Sequence, residues 1–169
     1  MLVIPASAAL WFLPPTLLVC FWVCFTDMKY MRILNKAVVT LFAIFVILGP
    51  FVLPLGDYAW RYVQMLAVLV AGIALNAGGA VGAGDAKFAA AAAPFIHLGD
   101  LRFVMALFAA TLLAAFVTHR LVRASPLRRL APDWKSWESG SRFPMGLALA
   151  GTLGLYLLLG ALYGAPLSP

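Results

Sequence analysis

Residues 6–25 read ASAALWFLPPTLLVCFWVCF, twenty positions without a charge. The hydrocarbon core of a bilayer is about 30 Å thick, and a helix rising about 1.5 Å per residue needs about 20 apolar residues to cross it. This stretch therefore has the length of one crossing. Outward from it, five more apolar runs follow: Ala37–Leu55, Trp60–Ala80, Phe88–Leu98, Leu101–Thr118 and Phe143–Tyr163. The chain reads as an all-α, polytopic integral membrane protein of about six transmembrane helices, forming one membrane-embedded domain over residues 1–169. The fourth run is short and contains Pro94, which suggests a short, tilted or re-entrant helix. Pro14 with Pro15 is expected to kink the first helix, and Pro50 with Pro54 to loosen the end of the second.

Composition supports this reading. Of the 169 residues, 64% are hydrophobic and 11% charged, and the mean hydropathy is +1.00. A soluble domain carries about 45–50% apolar and about 25% charged residues. Too little polar surface remains here for a soluble enzyme, a disordered chain or a nucleic-acid-binding domain. The net charge of +6 thus points to membrane orientation, with the lipid bilayer as partner and no nucleic acid. Cys20 and Cys24 lie four apart in the first run. One helix face would hold both, too close in the chain for an easy disulfide and too few for a zinc site. They read as packing residues. No Lys or Arg precedes Asp27, so no signal-peptide n-region is visible and the first run is expected to remain in the mature chain.

The basic residues orient the spans. Lys29, Arg32 and Lys36 follow the first span, and Lys87 precedes the fourth. Arg120, Arg123, Arg128, Arg129, Lys135 and Arg142 lie after the fifth. Ten of the twelve basic residues thus fall on one side, with Arg61 and Arg102 on the other. The positive-inside rule makes the first set cytoplasmic and turns both termini outward. In the long loop, Trp134 and Trp137 read as interfacial anchors.

Six carboxylates remain to be placed. Asp27 and Asp85 fall at the cytoplasmic membrane edge. Asp57 and Asp100 fall on the outer side near Arg61 and Arg102, and are read as solvated loop acids. Asp133 and Glu138 sit in the basic loop. Ionisable groups at the edge of a hydrocarbon slab are costly unless paired or hydrated, which makes them functional candidates. Asp85 lies in Gly82-Ala83-Gly84-Asp85-Ala86-Lys87, after Asn76, Gly78 and Gly79. Glycine at that density lets a second backbone approach closely. Two carboxyls meeting on one face can share a proton, one acting as general base on water while the protonated partner polarises a carbonyl. Such a pair titrates as a unit. His97 and His119 have no partner at ligand spacing, so neither a metal nor another cofactor is indicated.

These residues resemble the prepilin peptidases, a family of GxGD-type intramembrane aspartic proteases. Gly82-Ala83-Gly84-Asp85 matches the GxGD motif, and Ala86-Lys87 completes the family's GxGDxK form. Asp27 with Ile33, Leu34 and Asn35 matches the first-aspartate segment, with Leu34 where that family has proline. Pro144-Met145-Gly146 resembles its Pro-aromatic-Gly element, with Met145 in place of the aromatic. The resemblance implies catalytic Asp27 and Asp85. It gives supporting roles to Gly82, Gly84, Lys87, Asn35, Pro144 and Gly146. It also implies an inner-membrane enzyme whose active site faces the bacterial cytoplasm. The substrate would be a small prepilin with a basic leader, and the pilus assembly machinery a possible partner. The paired CxxC motifs of larger members are absent, so the chain resembles the short, peptidase-only form of tight-adherence (Flp-type) pilus systems, without the N-terminal zinc and methyltransferase extension. The alternatives are a non-catalytic carrier or proton-relay subunit of six helices, or an assembly subunit without activity.

Overall fold

The structure is a computed structural model that describes residues 1–140 and 142–166. Among the described residues six α-helices form: α1 Ala6–Tyr30, α2 Asn35–Val52, α3 Leu55–Ala77, α4 Ala83–Ala92, α5 Leu101–Ala124 and α6 Met145–Tyr163. Among the described residues five stretches are long and apolar enough to cross a membrane: the helices α1, α2, α3 and α6, and Leu98–Ala124, which contains α5. Large apolar side chains such as Phe21, Phe51 and Leu113 point outward, 74%, 83% and 65% exposed. In water that surface would be untenable, but against acyl chains it is the solvent-facing side.

The fourth crossing differs from the Phe88–Leu98 run read from the sequence. Its helix starts earlier, at Ala83, and ends at Ala92. A 3₁₀ turn over Ala93–Phe95 and another over Leu98–Asp100 continue it. Pro94 has no amide hydrogen to offer the helix ladder, so the α-helix stops and the tighter turn takes over. By contrast, Pro14 and Pro15 lie inside an unbroken α1, and α2 runs through Pro50.

The most extensive helix pairing is between α1 and α6. Small residues permit it: a β-carbon on Gly160 would lie 2.9 Å from Ile4 Cγ2 and 3.0 Å from Ala9 Cβ. Lipid tails exert no hydrophobic drive between helices, so such close backbone approach is what dispersion requires. Phe12 of α1, Phe45 of α2 and Phe95 after α4 converge, with ring centroids 5.0–5.9 Å apart. Cys20 is buried, and both cysteines are free thiols.

A short strand, β1 (Leu2–Pro5), pairs in parallel with β2 (Gly164–Ala165). The segments before α1 and after α6 therefore meet at one end of the bundle. From there α1 runs to Asp27 at the opposite end, and the remaining five segments alternate in direction. The turns after α1, α3 and α5 all fall at the Asp27 end, where the basic residues gather.

Candidate active site

Asp27 belongs to α1 rather than following it, as the sequence suggested. The helix continues to Tyr30 and stops where Met31 adopts the left-handed conformation (φ 55°, ψ 40°), its amide bonded to the Asp27 carbonyl. Asp27 is consequently 5% exposed. What receives it is the N-terminus of α6. Pro144 sits at the cap, and the Gly146 amide donates to Asp27 Oδ2 at 2.7 Å. The first amides of a helix lack intrahelical acceptors and carry the positive end of its dipole, so a carboxyl oxygen is a natural partner. A β-carbon at Gly146 would lie 2.8 Å from Asp27 Oδ2 and 3.1 Å from its Cγ. Glycine here both donates and makes room.

Asp85 sits in the first turn of α4, with Gly82 at the cap. Its Oδ2 folds back to 2.6 Å from where a β-carbon on Gly82 would be. A β-carbon on Gly84 would lie 3.3 Å from Ile33 Cβ. Absence of that carbon lets the turn after α1 pack against the first turn of α4. Across this contact Lys87 Nζ donates to Asn35 Oδ1 at 3.3 Å, joining α4 to the start of α2. Asn76 closes the glycine-rich turn, donating to the Val81 carbonyl at 2.8 Å.

Asp27 and Asp85 line one cavity of about 490 Å³. Its walls include Met31, Ile33 and Leu34 on one side, Gly82 and Gly84 on another, and Phe143 and Met145 at the entry to α6. Arg32 and Lys87 add positive charge. Of the residues singled out from the sequence, Asp27, Asp85, Gly82, Gly84, Asn35 and Lys87 line the cavity directly. Pro144 and Gly146 do not line it: Pro144 caps α6, and the Gly146 amide holds Asp27. A cavity open at the end of the helix bundle with two carboxyls has the inventory to hold a water and an extended peptide. Among the described residues, no group of three His, Cys, Asp or Glu side chains is placed to hold a metal ion.

The far end holds what the sequence reading missed. Asp57 is exposed as expected, but Asp100 is 4% exposed. Its carboxylate accepts from the Val3 and Ile4 amides at 2.8 and 2.9 Å and from the Tyr156 hydroxyl at 2.8 Å. Arg61 is equally buried and donates to the carbonyls of Pro94 and Ile96. These are the carbonyls a helix leaves unpaired where it ends. Both groups tie down broken backbone, β1 in one case and the end of the fourth crossing in the other. Placement on the outer side, away from Asp27 and Asp85, suggested solvated loop acids; for Asp100 only the long-range partners reveal burial.

The family model described as "Type IV leader peptidase family" matches residues 15–119. The match contains both candidate carboxylates and the glycine-rich turn, and ends within α5 before the Gly146 contact. No curated protein and no solved structure matches the chain. With well over half its length covered, including the turns that form the cavity, this multi-pass membrane chain belongs to the type IV leader peptidase family.

Proposed function

We propose that this peptidase is of the aspartic type and cleaves the basic leader from Flp-type prepilins at the cytoplasmic face of the bacterial inner membrane. The observation that carries the reading is the meeting of Asp27 and Asp85 on one cavity, at the end of the bundle with ten of twelve basic residues. One carboxylate takes a proton from water while the protonated partner polarises the scissile carbonyl. The water attacks, and the proton pair is redistributed as the amine leaves. Asp27 is the more rigidly held of the two, fixed through Gly146. Asp85, half-buried in the first turn of α4 with its carboxyl folded back on Gly82, presents the second carboxyl to the bound peptide. The pilin's apolar helix lies in the bilayer beside the bundle, which brings the leader junction to the membrane edge. Pilus assembly machinery receives the product.

The test is processing of a cognate prepilin by Asp27→Asn and Asp85→Asn chains reconstituted in liposomes. General acid–base groups contribute roughly 10²–10⁴-fold, so each variant should lose at least about 100-fold. Normal processing by either one refutes the assignment. Ion flux through the wild-type chain without prepilin cleavage would favour the carrier instead.

A further inference from the structure

The connection between α5 and α6 is more than a tether. A 3₁₀ helix spans Pro126–Leu130. In that helix residues i and i+3 eclipse, so Leu127 and Leu130 share one ridge while Arg128 and Arg129 point elsewhere. The two leucines are 57% and 84% exposed, and both arginines are exposed. The connection is also fixed in place. Trp137 stacks on His119 of α5 with centroids 5.1 Å apart, and Trp134 stacks on Trp137 at 5.7 Å. Trp134 further meets Phe25 of α1 edge-on at 6.0 Å. The Trp137 ring nitrogen donates to the Ala131 carbonyl, and Arg123 donates to the Gly140 carbonyl. These indoles lie at the last turns of two crossings, the depth at which tryptophan prefers a membrane interface. A leucine ridge held there beside free guanidinium groups has the chemistry of a surface that enters acyl chains and meets phosphate.

We propose that this connection docks anionic phospholipid, with Arg128 and Arg129 taking the headgroup phosphate and Leu127 and Leu130 seated among the acyl chains. The placement of this loop beside the ends of α1 and α5 is independent of the peptidase reading. Charge complementarity selects the occupant, since the described part of the connection is rich in arginine and its apolar ridge suits a lipid better than a soluble acidic peptide.

The experiment titrates the full detergent-solubilised chain with phosphatidylglycerol and with phosphatidylcholine, counting bound lipids by native mass spectrometry. A basic residue near an anionic surface is worth about fivefold in binding, so the pair gives roughly 30-fold. The wild-type chain should prefer phosphatidylglycerol by about that factor, and R128Q/R129Q should lose the preference while binding phosphatidylcholine as before. Lys36→Gln, which removes an exposed cation at the same end of the bundle but outside the loop, should leave the preference unchanged. Inorganic phosphate at millimolar concentration should not displace the lipid. Equal binding of the two lipids by the wild-type chain overturns the proposal without reference to any variant. So does an undiminished preference in R128Q/R129Q, an equal loss in Lys36→Gln, or displacement by phosphate alone.

Discussion

Replacing Gly146 with alanine puts a methyl group where the Asp27 carboxyl already lies. The new β-carbon would sit 2.8 Å from Oδ2 and 3.1 Å from both Cβ and Cγ of Asp27, a buried side chain whose Cβ contact is not relieved by turning the carboxyl toward the cavity. Overpacking of this kind costs about 1–3 kcal/mol. Any retreat also lengthens the 2.7 Å hydrogen bond from the Gly146 amide, a bond of the class worth about 1.5–3 kcal/mol when a charged group is involved. Against this, alanine gains up to about 1 kcal/mol in helix propensity. The net expectation is a loss of about 2–4 kcal/mol, with processing reduced about 100-fold because the carboxyl is displaced. Gly151, on the same helix, is the matched control: its β-carbon would meet nothing within 4 Å, so Gly151→Ala should stabilise by about 0.5–1 kcal/mol. Reversible unfolding in mixed micelles measures both variants, and a prepilin cleavage assay measures activity. A double-mutant cycle with Asp27→Ala then isolates the pair, with a coupling of about 1–3 kcal/mol expected. Equal effects of the two glycine substitutions, or a coupling near zero, would refute the account of Asp27 as held by α6.

Two further substitutions separate stability from chemistry. Gly82→Ala places a β-carbon 2.6 Å from Asp85 Oδ2, yet that atom is the end of a rotatable side chain. Unfolding should move by less than about 1 kcal/mol while prepilin cleavage falls at least about tenfold; a variant of full activity contradicts the placement. Asp100→Ala removes the acceptor of two strand amides and a buried tyrosine hydroxyl. It should destabilise by about 3 kcal/mol or more and speed hydrogen exchange at Val3 and Ile4, with the cleavage rate retained well below the unfolding temperature. Unchanged exchange at those amides would show that β1 is held by its pairing with β2 alone.

Much of the site could be read before any coordinate was known, because membranes simplify the problem. Five of the six apolar runs are long enough to cross, and the short fourth is continued by 3₁₀ turns as far as Asp100. Alternating direction then puts Asp27 and Asp85 at the same end whatever the helix packing. The glycines around Asp85 announced a close approach, and Ile33 against Gly84 is that approach. Hydropathy was less informative at the edges. It ended the first span at Phe25 because polar residues follow, whereas the backbone remains helical to Tyr30 and draws Asp27 into the protein.

What the amino-acid sequence determined by itself was solvent and the alternation of the runs: a chain with 11% charged residues is suited to lipid, and ten of its twelve basic groups fall on the connections of one end. Tertiary structure alone decided which polar groups are buried and what satisfies them. Asp27 with Gly146 spans 119 positions, Asp100 with Tyr156 spans 56, and Arg61 with Pro94 spans 33. A buried carboxyl or guanidinium is tolerable only beside a specific partner. When that partner is a backbone amide or carbonyl from another crossing, its residue type does not by itself reveal the contact, and Gly146 stood out only through its motif.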